Sequence, residues 1–139
     1  QRQMCIRDSH PAELARLCGV TVSEVMSDRL GFAYRLSEKY GVTVLAKSAD
    51  TFAVDGGKVY LCTEGTTALA KGGSGDMLAG IVSSYVAQGC DALDAAALGS
   101  FTLGSTALLA GYKRSERGII ARDVIDALPR FLYDLENAD

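Results

Sequence analysis

The stretch Ala70-Lys71-Gly72-Gly73-Ser74-Gly75-Asp76-Met77-Leu78-Ala79 has the makings of an anion-binding loop that opens a helix. Gly72, Gly73 and Gly75 remove the Cβ atoms that would hold a phosphate off the backbone, and they permit the positive φ angles of a tight turn. A helix beginning near Gly75 aims its unpaired N–H groups, and the positive end of its dipole, at whatever the loop holds. Asp76 does not fit a plain phosphate cradle, because a carboxylate aimed at a phosphate is repelled. It either caps the helix, a common role for Asp in a first turn, or acts on a second substrate just beyond the phosphate. Lys71 is a phosphate ligand or a solvated loop charge, and the sequence leaves both open.

A second set of candidate ligands lies upstream. Lys47 stands at the C-terminal end of an apolar run, and in open α/β sheets ligands gather outside the carboxyl ends of the strands. Its ammonium suits nucleotide phosphates as a point charge, and Thr51 adds a hydroxyl four residues on. The plain alternative is a solvated lysine at the mouth of a strand. Proximity of the two segments favours the ligand reading, since a single hairpin separates them. His10 is the one histidine of the chain. It reads as a helix-end or packing residue, and no second histidine or carboxylate cluster supports a metal site.

The elements that position these residues follow from periodicity. Residues 1–9 have neither a helical nor a strand period and resemble translated sequencing-adapter read-through; they are set aside as a non-native or disordered lead. They carry two arginines and no apolar h-region, so no signal peptide is expected. Pro11, Glu13, Leu14, Leu17 and Cys18 then predict a short helix ended by Gly19. Thr21 and Glu24 have capping-box spacing and open a helix to Tyr40 that places Val25, Met26, Leu30, Ala33, Tyr34 and Leu36 on one face, with Gly41 as terminator. Val42-Thr43-Val44-Leu45-Ala46 reads as a buried parallel strand. Thr51-Phe52-Ala53-Val54 and Lys58-Val59-Tyr60-Leu61-Cys62, joined across Asp55-Gly56-Gly57, read as a hairpin. Helices are expected over residues 75–88, where Leu78, Ile81, Val82, Tyr85 and Val86 form a core stripe, and over residues 92 to about 112. After a polar loop at 113–118, a last helix runs from 121 to 137, with Pro129 as an interruption. The order predicts an α/β fold with a mixed sheet and a helical C-terminal part.

Bulk properties narrow the class. The chain has 139 residues, 48% hydrophobic and 22% charged, with a net charge of −3, which suits one globular unit at most. Its basic residues are scattered, against a nucleic-acid surface or a cationic membrane helix. Cys5, Cys18, Cys62 and Cys90 lack CxxC spacing and read as reduced thiols of a cytoplasmic protein. The uncharged run at 95–112 is long enough to cross a membrane, but its Ala, Gly, Ser and Thr content reads as a buried helix.

Together these segments resemble the ADP/ATP-dependent NAD(P)H-hydrate dehydratases, a family with the ribokinase-like fold. The glycine loop continues into Gly80-Ile81 and Ala87-Gln88-Gly89 as in that family. His10-Pro11-Ala12-Glu13 is similar to the second half of its Thr-Pro-His-Pro-x-Glu segment, and Lys47-Ser48-Ala49-Asp50-Thr51 to its Lys-Gly-x-x-Thr segment. Gly118-Ile119-Ile120-Ala121-Arg122-Asp123 and Leu128-Pro129 resemble its terminal Gly-x-x-Ala-x-Asp and Leu-Pro. The likeness runs from Ser9 to about Tyr133.

The resemblance implies the C-terminal half of a three-layer α/β/α domain over residues 10–139. It implies repair of hydrated NADH and NADPH: the terminal phosphoryl of ADP or ATP passes to the hydrate's hydroxyl and leaves as phosphate, with Mg²⁺ present. Asp76 would take the hydroxyl proton and, with His10, contact the hydrate. Lys47, Ser48, Ala49, Asp50, Thr51, Lys71, Gly72, Gly73, Ser74 and Gly75 would hold the nucleotide. A homo-oligomer is expected, and an epimerase domain upstream or as a separate chain; nucleic acid and membranes are not expected partners. This sequence departs from the pattern at Ser48, where the family has glycine, at Thr66, where asparagine is common, and at Leu103, where histidine is frequent. The family domain is considerably longer than this chain, so missing strands would leave an exposed sheet edge open to dimerisation or aggregation. The alternatives are a ribokinase-like kinase for a small alcohol such as hydroxyethylthiazole or a sugar, and a non-catalytic nucleotide-binding fragment.

Overall fold

The computed structural model describes residues 6–112 and 114–138. Its sheet has four strands in the order β1-β2-β3-β4: Ile6–Ser9, Thr43–Ala46, Thr51–Asp55 and Lys58–Cys62. β1 and β2 run parallel with Ser9 opposite Ala46, while β2–β3 and β3–β4 are antiparallel. The sheet is therefore mixed, with the hairpin and the buried parallel strand where the sequence predicts them. Residues 6–9, set aside with residues 1–5 as a non-native or disordered lead, are instead a strand, the parallel partner of β2. Four residues are too few to display a period, and their strand state is imposed by backbone pairing with a neighbour 37 positions away in register. Residues 1–5, including Cys5, lie outside the described residues.

Side chains alternate across the sheet and divide the helices into two layers. Val44, Ala46 and Val54 pack with Leu14, Ala15, Val25, Ala33 and Leu36. These come from α1 (Pro11–Cys18), α2 (Val22–Ser27) and α3 (Arg29–Tyr40). Leu45 and Ala53 pack on the other face with Leu78, Val82, Leu93, Ala96, Leu103 and Val124. Those belong to α4 (Ser74–Ala87), α5 (Ala92–Gly111) and α6 (Ala121–Glu136). The result is a three-layer α/β/α sandwich.

Local signals account for most of the helix ends. Thr21 and Glu24 form the expected capping box, and Gly19 and Gly41 close α1 and α3 with left-handed φ of 70° and 62°. The expected single helix from 21 to 40 is instead two. Asp28 leaves helical geometry (φ −150°, ψ 59°), ends α2, and recaps α3 by accepting from the Gly31 N–H at 3.0 Å. The break resets the helical phase, so Val25 and Ala33 are fully buried while Met26, Leu30 and Tyr34, expected on the same face, are 51%, 39% and 37% exposed. At the other end, α6 continues through Pro129. The carbonyl deprived of its donor belongs to Ile125, whose side chain is half exposed, so it lies on the side of the helix where water can donate instead.

The α5 run has the length and hydropathy of a membrane span, yet it is the core helix of the second layer. Its small residues permit close approach. A Cβ on Gly99 would lie 2.4 Å from Val82 Cγ2, and one on Gly104 only 1.8 Å from the Glu64 carbonyl oxygen. A hydrogen bond of 2.8 Å between Tyr85 Oη and Thr102 Oγ1 ties α4 to α5. Because the atom opposing Gly104 is backbone, no rotamer change relieves the contact. Gly104→Ala is expected to destabilise by about 1–3 kcal/mol, read as a lower midpoint in denaturant. Cys18, Cys62 and Cys90 are free thiols. Burial pushes Cys18 up, and burial together with Glu64 pushes Cys62 up, which makes both poor nucleophiles.

Candidate active site

Strand direction gathers the candidate residues. β1, β2 and β4 run the same way, so the segments after Ser9, after Ala46 and after Cys62 all leave the sheet at one edge, where β3 begins with Thr51. His10 and residues 47–51 therefore share that edge although they lie far apart in sequence, and the segment that leads from β4 to the glycine loop leaves from the same edge.

Each segment has a local cause. His10 is the N-cap of α1: its Nδ1 accepts from the Ala12 N–H at 3.4 Å and its own N–H donates to Glu13 Oε2 at 3.0 Å. In the neutral ring this places the proton on Nε2, the nitrogen left for a ligand. The helix-end reading of His10 is thus correct, and it does not compete with a contact through Nε2. Lys47 is half-buried where β2 ends, and Ser48, Ala49 and Asp50 form an exposed bend. That bend is held on both sides. Arg29 Nη1 donates to the Asp50 carbonyl at 3.0 Å while its guanidinium lies over the Phe52 ring, and the Ala49 carbonyl packs so tightly on Gly65 that a Cβ there would stand 2.6 Å away. Gly65 thereby joins the 47–50 bend to the irregular segment between β4 and the glycine loop.

The loop starts α4 one residue earlier than the sequence suggests. Gly73 is the N-cap, in left-handed geometry at φ 92°, and its side-chain-less face lies 3.6 Å from Ala121 Cβ, measured from the position a Cβ would occupy. The first bond of α4 runs from the Met77 N–H to the Gly73 carbonyl at 3.0 Å. The N–H groups of Ser74, Gly75 and Asp76 precede it, as anion binding requires. Ser74 Oγ donates back to the Lys71 carbonyl at 3.1 Å and closes the turn. Asp76 is exposed and, among the described residues, makes no hydrogen bond or ion pair. The capping account of Asp76 therefore has no partner in the structure.

Lys71 has partners that neither reading of the sequence anticipates. Its Nζ donates to the carbonyls of Glu116 at 3.1 Å, Arg117 at 3.2 Å and Ile119. Those partners lie more than forty positions away, and no spacing signal could have exposed them. Asp123, in the terminal Gly-x-x-Ala-x-Asp segment, caps α6 by accepting from the Ile120 N–H at 2.9 Å and pairs with Arg114 at 3.3 Å. Of the departures from the family pattern, Thr66 caps a 3-10 turn (Thr67–Leu69) by accepting from the Ala68 N–H at 3.2 Å, and Leu103 is buried in the core.

A three-layer α/β/α sandwich with a glycine turn at the carboxyl edge of a mixed sheet is the ribokinase-like fold. A ribokinase-like superfamily protein from Enterococcus faecalis superposes with a TM-score of 0.78 at 23% identity, covering 93% of this chain and 44% of that one. The chain belongs to the NAD(P)H-hydrate dehydratase family, whose model matches residues 3–130. It is 38% identical over 123 residues to the bifunctional NAD(P)H-hydrate repair enzyme Nnr of Vibrio cholerae, covering 88% of this chain and 25% of that protein. The ADP/ATP-dependent NAD(P)H-hydrate dehydratase of Bacillus subtilis, co-crystallised with ATP and Mg²⁺, superposes with a TM-score of 0.87 at 26% identity, covering 95% of this chain and 50% of that one. The chain thus spans a quarter of the curated relative and half of the solved one.

Proposed function

We propose that the protein carrying these residues is a hydro-lyase that restores NADH or NADPH from the (S)-hydrate, spending ADP or ATP. The observation that carries this reading is Asp76, an unpartnered carboxylate in the first turn of α4, immediately after three amide groups free to hold an anion. With a nucleotide's terminal phosphate on those amides, the hydrate hydroxyl lies beside the carboxylate. The hydroxyl oxygen attacks the terminal phosphorus, its proton passes to Asp76, and the bond to the departing AMP (from ADP) breaks. Phosphate then leaves the ring carbon as a neighbouring ring proton is lost, which re-forms the double bond. The amides supply positioning and charge stabilisation, which is most of what phosphoryl transfer requires.

In this reading Lys47, Ser48, Ala49, Asp50 and Thr51 line the nucleotide, Gly72, Gly73, Ser74 and Gly75 cradle its phosphates, and His10 meets the hydrated dinucleotide through Nε2. Mg²⁺, which the family resemblance implies, would be carried by the nucleotide phosphates and would offset their charge. Among the described residues no three His, Cys, Asp or Glu stand together as a cation cage, and phosphate-borne Mg²⁺ needs only one or two carboxylates. The described chain, with β1 as part of its sheet, represents the C-terminal half of the domain, in a cytoplasmic homo-oligomer. The bifunctional relative supports an epimerase activity alongside.

The test is to give the full-length protein ADP or ATP with hydrated NADH and follow the return of reduced-cofactor absorbance. Return of absorbance at the rate of AMP or ADP formation is the expected result. Nucleotide consumed with a small alcohol and no absorbance would identify a kinase, and a higher melting temperature with ADP but no turnover would identify a binding protein.

A further inference from the structure

We infer that Lys71 is a positioning residue: its ammonium sets the shape of the glycine loop by locking it to the segment that starts α6, and it does not touch the nucleotide. The inference rests on the nucleotide reading of that loop. A lysine ammonium has three N–H groups, and the carbonyls of Glu116, Arg117 and Ile119 take all of them. A phosphate would have to displace one. Ile119 is buried and its neighbour Ile120 is tied to Asp123, so the carbonyls are anchored to the core rather than to a loose loop. Two further contacts join the same segments: Thr67 Oγ1 bonds Glu116 Oε2, and Gly73 lies against Ala121. From Lys71 the constraint passes through its own carbonyl to Ser74 Oγ at 3.1 Å, the first residue of α4. The starts of α4 and α6 are thereby held side by side. Without the cation, three carbonyl dipoles that converge on one point repel one another, and the loop opens before any nucleotide arrives.

Lys71→Ala in the full-length protein tests this through hydrogen exchange without ligand, ADP affinity and melting temperature. Amides 72–76 and 116–120 are expected to exchange about tenfold faster or more, with β2 and β3 unchanged. ADP should bind at least about tenfold more weakly, and added propylammonium, which returns a cation to the three carbonyls, should restore affinity saturably. Weaker ADP binding with exchange unchanged overturns the proposal, because that is the signature of a direct phosphate ligand. Local loosening with unchanged ADP affinity overturns it as well, as does loosening spread through the whole sheet. Should the alanine variant fail to fold, Lys71→Gln keeps a side chain of similar bulk and removes the cation; wild-type exchange in both segments would then overturn the clamp. Wild-type protein that binds no ADP at all removes the nucleotide reading and this role with it, whereas wild-type binding with unchanged exchange in the variant removes the clamp only.

Discussion

Asp76→Asn in the full-length protein is expected to lower turnover by about 10²–10⁴-fold, the usual worth of a general base, with ADP affinity near the wild-type value. The substitution isolates the proton-accepting role because little else depends on the carboxylate. Asp76 is exposed and bonds no described residue, so the isosteric amide breaks no bond and leaves no buried group unsatisfied. Stability should change by less than about 0.5 kcal/mol, as for surface substitutions generally. Removing a negative charge beside the phosphate should, if anything, tighten ADP slightly. Steady-state turnover of the hydrate, with ADP titrated by calorimetry, separates the effects. Full activity in the Asn variant would remove Asp76 from the base role, and a parallel loss of ADP affinity would make it a nucleotide ligand.

Where local chemistry decides a conformation, the sequence already carries it. Thr21 with Glu24, Gly19 and Gly41 after helices, and Gly56-Gly57 between β-branched runs each act within a few residues, and each stands in the structure as predicted. The misreadings share a different cause. Asp28 competes with its own helix for the Gly31 N–H, an outcome that turns on one side-chain hydrogen bond rather than on hydrophobic period. Residues 6–9 are a strand only because β2 offers a parallel edge. In the site, the glycine turn that opens α4 and the lone carboxylate in its first turn were legible because glycine spacing and a helix start are local. The shared sheet edge of His10, Lys47 and Thr51 follows from strand direction, which a pattern of alternating elements anticipates. The Lys71 clamp, the Gly65 contact with Ala49 and the Gly104 contact with Glu64 are tertiary, and a one-dimensional reading has no term for them.

Gly73→Val carries the other large expected effect, loss of ADP binding by at least about 100-fold. Gly73 sits at φ 92°, where a β-branched residue is strained by about 1–3 kcal/mol. Its valine side chain would also be driven toward Ala121, already 3.6 Å from an ideal Cβ. The loop must therefore leave the geometry that presents the Ser74, Gly75 and Asp76 amides, and the anion site goes with it. Gly72→Ala separates strain from steric exclusion. A Cβ at Gly72 meets nothing within 4 Å and needs no positive φ, so the ligand-free variant should melt as the wild type does. If phosphate approaches the backbone there, the added methyl group occupies its space and ADP affinity falls although the fold is intact. Calorimetric titration of both variants reads the difference: weak binding by Gly73→Val with normal binding by Gly72→Ala would place the phosphate further along the turn, over Ser74 and Gly75. Normal ADP binding by Gly73→Val would mean that the nucleotide does not depend on this turn, and the role given to the α4 amides would fall.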